Sequence, residues 1–429
     1  MKHILKVMMA EKEVGFLWVE DGSEAYRFEY SSSWQESGYA ISPHLPLNDE
    51  IESGNVKRFL ENLIPEGKGL EDITAFTHIS KKNTFAIIKG IGYDTSGALM
   101  FGDEQHTDEL LFREITDEEL AERIEQIEEK SIVIWDQKER LSLAGVQEKL
   151  PVIIQNGKIG LGDGKLCSTH ILKFQTKRHS NIVINEYFCM KLAKSIGLDV
   201  ADVELKYFGK YPALLVKRFD RVYKAEEGVE RVHVIDGCQM LNLSTTYKYE
   251  RNFGSGRDVK DIREGASFSK LFASAKLCKV PAKAKLQMLQ WAMFNLIIGN
   301  SDAHGKNFSF FVSEQGIEPT PFYDLLSILS HKEVEHDMAM AYGDEFNPNE
   351  IYAYQLRKFA EDIEIHYRLV SQTLQKQCKA IKEVLQHRFI PMEHVSKDEK
   401  LFLDNLGKLI LQRVELLEEA SKEMGKISF

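Results

Sequence analysis

The sequence has few cysteines and no long apolar run. None of its five cysteines, Cys167, Cys189, Cys238, Cys278 and Cys378, forms a Cys-x-x-Cys pair, so we predict neither a disulfide framework nor a cysteine-bound metal. We expect reduced, mostly buried thiols and a cytoplasmic protein. The longest apolar run, residues 291–298, is far shorter than the roughly twenty residues that cross a bilayer. The first ten residues are too short and too charged for a signal peptide, so we expect no membrane association.

The sequence also lacks an excess of basic residues. Its 55 basic and 66 acidic residues give a formal net charge of −11. A chain this acidic binds nucleic acid poorly by itself, so contact with DNA would need a local basic patch or a basic partner. Internal repeats and low-complexity tracts are absent, and 429 residues leave room for two or three domains.

Hydrophobic periodicity divides the chain into four regions. Residues 1–105 are predicted to form an α+β subdomain with a first strand at the N-terminus, a hairpin of strands at 14–19 and 25–30, and a helix at 56–63. Residues 106–135 form an acidic connecting segment. Within it Thr116 is predicted to cap a helix, and a solvated linker is the alternative.

From residue 136 onward, the periodicity changes from that of strands to that of helices. Residues 136–220 are predicted to hold three strands and one helix, at 150–154, 170–174, 212–216 and 184–196. Residues 221–429 are mainly helical, with apolar spacing of three and four residues at 282–298, 347–364, 368–388 and 397–424. In the first of these helices Leu286, Leu289, Met293 and Leu296 are predicted to face the core. A β-rich region followed by an α-rich region favours an α+β, bilobal chain.

The segment Gly299–Phe311, GNSDAHGKNFSFF, carries the strongest chemical signal. Asp302 is followed five residues later by Asn307, and Asp324 follows after a short predicted hairpin. Phosphoryl transfer needs a carboxylate that accepts the proton of an attacking hydroxyl, and oxygen ligands that hold magnesium beside the transferring phosphate. Any one of these residues is also compatible with a capped turn, but the spacing of all three predicts a kinase.

Two neighbours of Asp302 and two features of the β-rich region have open interpretations. His304 is predicted to be structural, and Lys306 either stabilises transition-state charge or is solvated. Lys173 lies in an otherwise apolar strand, so it either binds a nucleotide phosphate, with Glu186 as a partner, or extends to solvent. The turn at 141–149 is compatible with a phosphate-binding loop and with a plain strand entry.

Over essentially its whole length the chain resembles the HipA toxin kinases of bacterial type II toxin–antitoxin systems. The resemblance rests on six segments that follow in the same order: SLAGVQEK at 142–149, THILK at 169–173, NEY at 185–187, VKRFDR at 216–221, IGNSDAHGKNF at 298–308 and TPFYD at 320–324. It implies a bilobal protein-kinase-like fold, with a β-rich N-lobe at 136–220, an α-helical C-lobe at 221–429 and the N-terminal subdomain of the family at 1–105.

The resemblance also implies roles for single residues. Asp302 would be the catalytic base, and Asn307 and Asp324 would bind Mg²⁺. The residues that would contact ATP are Ala144, Gly145, Val146, Gln147, Glu148, Lys149, Lys173, Lys217, Arg218, Phe219, His304, Lys306, Asn307, Tyr323 and Asp324. Lys217 departs from the acidic residue that family members often carry at the hinge, so we expect altered nucleotide affinity at most.

The function implied is that of a serine/threonine-protein kinase toxin that arrests growth by phosphorylating a translation component such as an aminoacyl-tRNA synthetase. Autophosphorylation of Ser142 would inhibit it. A small, dimeric helix-turn-helix antitoxin resembling HipB would bind it and bring it to operator DNA. The alternatives are a kinase-shaped corepressor without transfer activity and a kinase for a small molecule.

Overall fold

The computed structural model describes residues 1–23, 25–102, 109–140, 147–224, 227–387 and 395–428. Within these ranges the chain forms two compact units. The first unit consists of Met1–Val183, Asp202–Ile235 and Phe310–Gly316, and the second of Ile184–Ala201, Asp236–Ser309 and Ile317–Phe429.

Strands dominate the first unit and helices the second. The strands are β1 Lys2–Met9, β2 Lys12–Glu20, β3 Arg27–Tyr30, β4 Leu99–Gly102, β5 Leu110–Glu114, β6 Ile134–Trp135, β7 Lys138–Glu139, β8 Lys149–Gln155, β9 Lys158–Gly164, β10 His170–Phe174, β11 Val203–Phe208, β12 Tyr211–Lys217, β13 Arg221–Lys224, β14 Gly228–Arg231, β15 Val234–Asp236, β16 Ser309–Ser313 and β17 Gly316–Pro319. The helices are α1 Ser32–Ser37, α2 Ser53–Glu61, α3 Gly67–Thr77, α4 Thr84–Ile91, α5 Asp117–Glu125, α6 Ile182–Ser195, α7 Gly237–Met240, α8 Phe268–Ser274, α9 Pro281–Ile298, α10 Ala353–Asp362, α11 Tyr367–Gln386 and α12 Lys397–Glu423.

The predicted N-terminal hairpin is confirmed. Strands β1, β2 and β3 pair antiparallel in sequence, and β4 completes a sheet of order β3-β2-β1-β4. Alternate residues such as Leu5 and Val7 are fully buried, as expected for strands with one face on a core. The predicted helix at 56–63 begins three residues earlier, in α2.

The second sheet of this unit has the order β11-β12-β10-β8-β9-β5. It contains all three predicted strands of the 136–220 region. Its edge strand β5 was not predicted, because its pairing with β9 joins residues that lie far apart in sequence. The helix predicted after Thr116 is present as α5, and the Thr116 side chain accepts from the Glu119 amide in a capping box.

One apolar core joins the helices of the first hundred residues to this sheet. It includes Ile73 and Ile87 from the N-terminal region, Ile124 from α5, and Leu150 and Leu172 from the sheet. Because these side chains share one cluster, the N-terminal helices stabilise the sheet that carries the predicted nucleotide-contacting residues.

In the second unit, α9 is the central helix. Its C-terminal half is buried on every side, including Trp291 and Phe294, so its apolar pattern extends beyond one amphipathic face. The prediction that Leu286 faces the core is wrong: its side chain is 40% exposed, because this end of the helix is less covered. Leu289, Met293 and Leu296 are buried as predicted.

The three long helices α9, α11 and α12 match their predicted positions. The helix predicted at 347–364 begins only at Ala353. Asn347, Pro348 and Asn349 instead form a turn in which the Asn347 side chain accepts from the Asn349 amide at 3.0 Å, as asparagine side chains commonly do.

All five cysteines are buried and free, which agrees with the expected reduced thiols. Across the described parts of the chain, no helix combines the length and the apolar character needed to span a bilayer.

Candidate active site

The loop that carries Asp302 starts where α9 ends. Gly299 ends the helix in the left-handed conformation, with φ of 69°, which glycine adopts without strain. The side-chain amide of Asn300 then makes three contacts. It donates to Asn295 Oδ1 at 2.8 Å and to the Asp324 carbonyl at 3.2 Å, and its Oδ1 accepts from the Asp302 amide at 3.2 Å. Asn300 therefore brings the backbones of Asp302 and Asp324 together.

Asn307 is held against the same loop. Its Nδ2 donates to the Asp302 carbonyl at 3.0 Å, and the Asp302 carbonyl also accepts from the His304 amide at 2.8 Å. Because Nδ2 is the donor, the amide orientation is fixed and Oδ1 faces away from this carbonyl. An oriented amide oxygen is a suitable ligand for magnesium.

Asp324 has an unusual backbone. Its φ of 53° lies in the left-handed region, which few residues other than glycine adopt and which aspartate tolerates better than most. Its side chain is half-buried. Such conformations cluster at functional sites, so the backbone geometry is consistent with a ligand role for this carboxylate.

The donor chemistry of these residues fits a magnesium ion that is shared with a nucleotide. No group of three His, Cys, Asp or Glu side chains in the described ranges forms a metal cage. Magnesium is usually held by one or two carboxylates together with substrate phosphates and water. One carboxylate, Asp324, with the amide oxygen of Asn307 matches that pattern.

Sequence reasoning missed Tyr249, which contacts Asp302. The Tyr249 hydroxyl donates to Asp302 Oδ1 at 2.5 Å, and its ring packs edge-on against His304 with 5.1 Å between centroids. No sequence signal points to this contact, because 53 residues separate the two partners.

Lys306 is not solvated. Its side chain is 4% exposed and its Nζ lies 2.7 Å from Asp236 Oδ2. The Lys306 carbonyl accepts from the Tyr323 hydroxyl at 2.6 Å, and that hydroxyl also bonds Ser309 Oγ at 2.6 Å. Lys306 and Tyr323 thus fix the loop on both sides of Asn307.

His304 is buried, and burial together with the positive charges of Lys248 and Lys306 holds its pKa well below 6.5. The ring is therefore neutral at physiological pH. The predicted structural role of His304 stays a prediction.

Arg413, from the C-terminal helix α12, contacts the end of the helix that leads into the Asp302 loop. Arg413 is buried in α12, and its guanidinium donates to the carbonyls of Leu296, Ile297 and Pro348 at 2.7–3.3 Å. Two of these carbonyls belong to the last turn of α9, where a continuing helix would supply donors; the Leu296 carbonyl also accepts from the Gly299 amide at 3.3 Å. Arg413 therefore caps the helix that leads into the Asp302 loop.

In the first unit, Lys173 and Lys149 are directly opposite each other on β10 and β8. Both are buried, with 6% and 7% exposure, so the alternative in which Lys173 extends to solvent does not fit. Residues directly opposite in an antiparallel pair project from the same face of the sheet, so the two lysines share one face. Glu186, in the second unit, is also buried at 1% exposure, not a surface glutamate. Its pairing with Lys173 stays a prediction.

The predicted phosphate loop is described only from Gln147 onward. Gln147 Nε2 donates to the Phe174 carbonyl at 3.2 Å, and Glu148 lies 3.4 Å from Lys68 Nζ. Burial raises the pKa of Glu148. Ser142, Ala144, Gly145 and Val146 lie outside the described residues.

The predicted hinge residues end β12. The Lys217 amide donates to the Asp202 carbonyl at 2.8 Å and the Arg218 amide to the Thr169 carbonyl at 3.0 Å. The Phe219 ring packs edge-on against Phe311 at 5.8 Å. The hinge segment is thus fixed by backbone hydrogen bonds.

The Arg218 side chain points into a buried set of charges, the arginine network of Asp94, Arg218, Asp220 and Arg221. Arg218 and Arg221 both pair with Asp220 Oδ2, at 2.8 and 2.7 Å, and with Asp94 Oδ1, at 3.4 and 3.2 Å. Any contact of Arg218 with ATP is therefore limited to its backbone. The network also attaches the 94–97 segment to the hinge, since the Gly97 amide donates to Asp220 Oδ2 at 2.8 Å.

Known proteins share both the sequence and the fold. The HipA N-terminal domain family matches residues 5–102 and the HipA-like C-terminal domain family matches residues 141–385. The serine/threonine-protein kinase toxin HipA of Shewanella oneidensis is 43% identical over 96% of this chain and 95% of its own length. A putative kinase of Sinorhizobium fredii, Y4mE, is 32% identical over 80% of this chain and 82% of its own.

A solved structure of the Shewanella oneidensis HipA, in complex with HipB and operator DNA, superposes with a TM-score of 0.91. It has 41% identity and covers 99% of this chain and 100% of that one. Fold and sequence together define a mixed α/β enzyme of the kinase class. The chain belongs to the HipA family, and kinase relatives of this kind imply the use of ATP.

Proposed function

We propose that this chain is an ATP-dependent serine/threonine-protein kinase that acts as the toxin of a HipA/HipB-like module. The observation that carries the proposal is the loop in which Asn300 joins the backbones of Asp302 and Asp324 while Asn307 binds the Asp302 carbonyl. A base and two oxygen ligands held by one hydrogen-bonded loop meet the requirements of phosphoryl transfer.

In the proposed reaction, a substrate hydroxyl attacks the terminal phosphorus of ATP and the bond to the bridging oxygen of ADP breaks. Asp302 accepts the proton of the attacking hydroxyl. Lys173 and Lys149 would hold phosphate oxygens by charge. Asn307 and Asp324 would hold the magnesium ion, which when bound neutralises phosphate charge.

The partners proposed are those of the family. The Shewanella oneidensis relative is solved with HipB and operator DNA, and the net charge of −11 suits a protein that reaches DNA through a more basic partner. We therefore propose a HipB-like antitoxin, dimeric and of the helix-turn-helix type. An aminoacyl-tRNA synthetase is the substrate class that the resemblance suggests.

Regulation is proposed to follow from Ser142. A phosphate there carries nearly two negative charges and, close in sequence to Lys149, would compete with ATP for positive charge. Intact-mass measurement of chain expressed with Asp302 present is expected to show one added phosphate, lost in Ser142→Ala. Ser142 that is never modified would contradict this part.

The catalytic assignment is tested with Asp302→Ala. We expect at least a 1,000-fold loss of labelled phosphate transfer from ATP to protein, since the base and its loop act together, with loss of growth arrest on expression. Asp258→Asn, on an exposed position of the same unit, should keep full activity. Growth arrest that survives in Asp302→Ala would refute the toxin mechanism, and label appearing only in metabolites would indicate a small-molecule kinase.

A further inference from the structure

Backbone hydrogen bonds on both sides of Tyr249 hold its segment against the Asp302 loop. The Lys248 carbonyl accepts from the Gly305 amide at 2.9 Å, within the Asp302 loop. On the other side, the Glu250 amide donates to the Ala339 carbonyl at 2.9 Å, and the Ala339 amide donates to Ser301 at 2.9 Å. The backbone before Tyr249 is therefore bonded directly to Gly305, which follows Asp302. The backbone after Tyr249 is linked through Ala339 to Ser301, which precedes Asp302.

Close packing adds to these hydrogen bonds. A Cβ atom at Gly265 would lie 1.8 Å from the Tyr249 carbonyl oxygen, a distance that no side chain tolerates. The Gly265 amide donates to the Glu250 carbonyl at 3.2 Å. The segment at Gly265 thus packs directly against the Tyr249 backbone, at a distance that only glycine permits. This packing fixes the position of the phenol relative to the loop.

The contact itself is of the strong kind. A hydroxyl that donates to an ionised carboxylate forms a charge-assisted bond, typically 2.5–2.7 Å long, and the Tyr249–Asp302 distance is 2.5 Å. An aspartate side chain has two rotatable bonds, so several staggered orientations of its carboxylate are possible in principle. A hydrogen bond to Oδ1 from a rigid donor selects one of them.

We propose that Tyr249 is the positioning residue of the catalytic base: its hydroxyl holds the Asp302 carboxylate in the one orientation that accepts a proton from the substrate hydroxyl. This inference rests on the proposed function of Asp302. It adds a requirement from a segment more than fifty residues upstream. Positioning of this type affects the chemical step and leaves nucleotide binding unchanged.

The competing interpretation is that the Tyr249 hydroxyl occupies the place of the substrate hydroxyl and blocks it. The two interpretations predict opposite signs. If Tyr249 positions the base, its removal slows transfer. If it blocks the base, removal of the hydroxyl speeds transfer or lowers the KM for the protein acceptor.

The experiment compares Tyr249→Phe with Tyr247→Phe, a matched change two residues earlier in the same segment. Full-length chain is given magnesium and γ-labelled ATP, and label is counted in the chain and in dephosphorylated casein as a general acceptor. For Tyr249→Phe we expect kcat to fall about 10- to 100-fold, the loss that corresponds to one hydrogen bond to a charged group. The KM for ATP and the thermal unfolding midpoint should not change, and Tyr247→Phe should match the unaltered chain.

A double-mutant comparison isolates the contact. In an Asp302→Asn background, Tyr249→Phe should lower the residual rate less than twofold, because the phenol then has no base to orient. Replacement of Tyr249 by a fluorinated tyrosine, which keeps the hydroxyl as a stronger donor, should restore most of the kcat lost in the phenylalanine variant.

The outcomes separate this inference from the proposed function. An unaltered chain that transfers no label, or an Asp302→Asn variant with full activity, would overturn the function itself. Normal transfer that depends on Asp302 but is unchanged or faster in Tyr249→Phe would overturn only the positioning role. A fall in the unfolding midpoint that accounts for the lost activity would make Tyr249 structural and also overturn it.

Discussion

The arginine network of the first unit and the Asp302 loop of the second are both clusters of charged and polar side chains, but they are built differently. In the network, the side chains of Arg218 and Arg221 are 2% and 0% exposed, and both bind the same two carboxylates. In the loop, Asp302 and Asp324 are half-buried, the Asp302 carboxylate accepts from a phenol, and its backbone bonds two side-chain amides.

The difference separates a stabilising cluster from a chemical one. Burial alone would raise the pKa of Asp220, but the charges of Arg218 and Arg221 outweigh burial and lower it. This carboxylate therefore stays ionised and paired with the two arginines. A proposed base such as Asp302 must instead exchange a proton with a substrate, which requires access to solvent and substrate. The fully buried arginine network therefore serves stability, whereas the half-buried Asp302 is accessible enough for the proposed chemistry.

The largest expected loss of stability comes from a substitution that breaks the arginine network. Asp220→Ala removes the carboxylate shared by two buried arginines, and breaking a buried ion pair typically costs about 3–5 kcal/mol. We expect the free energy of unfolding, measured with urea and tryptophan fluorescence, to fall by that amount. Asp302→Ala is the matched change in the other cluster and should cost no more than about 1 kcal/mol while lowering transfer at least 1,000-fold. Equal losses of stability in the two variants would contradict the distinction.

A smaller loss of stability is expected from a substitution of Arg413, a buried charged residue of the second unit. Arg413→Met removes the donor to three buried carbonyls near the end of α9, and leaving such groups unpaired costs about 2–3 kcal/mol. We expect that loss of stability together with a fall in kcat, because α9 leads into the Asp302 loop. Lys408→Met, on an exposed position of the same helix, should change stability by less than about 0.5 kcal/mol. Loss of stability with normal kcat would show that the loop does not depend on this cap.

A further effect, absent at neutral pH, is a pH dependence of stability in the first unit. His233 is buried, its Nε2 contacts the Ile41 carbonyl at 2.8 Å, and burial lowers its pKa to about 4. The unfolded chain binds a proton on this imidazole below about pH 6.5 while the folded chain does not, so stability falls between pH 6.5 and 4. We expect His233 to contribute about 3 kcal/mol to that fall.

His233→Gln should flatten the curve of unfolding free energy against pH over this range, since glutamine does not titrate. Part of the slope should remain, because burial also lowers the pKa of His170 to about 4. An unchanged slope in the variant would show that His233 is protonated in the folded protein.

Local pattern predicted most of the secondary structure. The long helices α9, α11 and α12 were found because apolar residues repeat every three to four positions over five or more turns, and Thr116 marked the start of α5 through its capping box. The pattern failed where neighbours distant in sequence decide, as at β5, which exists through pairing with β9. It also failed at Leu286, since amphipathic spacing does not show how far neighbouring elements cover a helix.

The candidate site divides in the same way. The chemistry of Asp302, Asn307 and Asp324 was legible because kinase spacing is short and sequential, and the family of the chain follows from segments that stand in order along it. What the sequence determined by itself is therefore the kinase class and the residues proposed to react, because both are encoded in local spacing.

Only the tertiary structure decided which other residues surround them. Tyr249 reaches Asp302 across 53 residues, Arg413 reaches Leu296 across 117, and Arg218 turns away from the hinge to bind Asp94 across 124. These contacts depend on packing of whole helices and sheets, and the residues that make them carry no local signal. Spacing specifies which groups can react, whereas long-range packing specifies how firmly they are held.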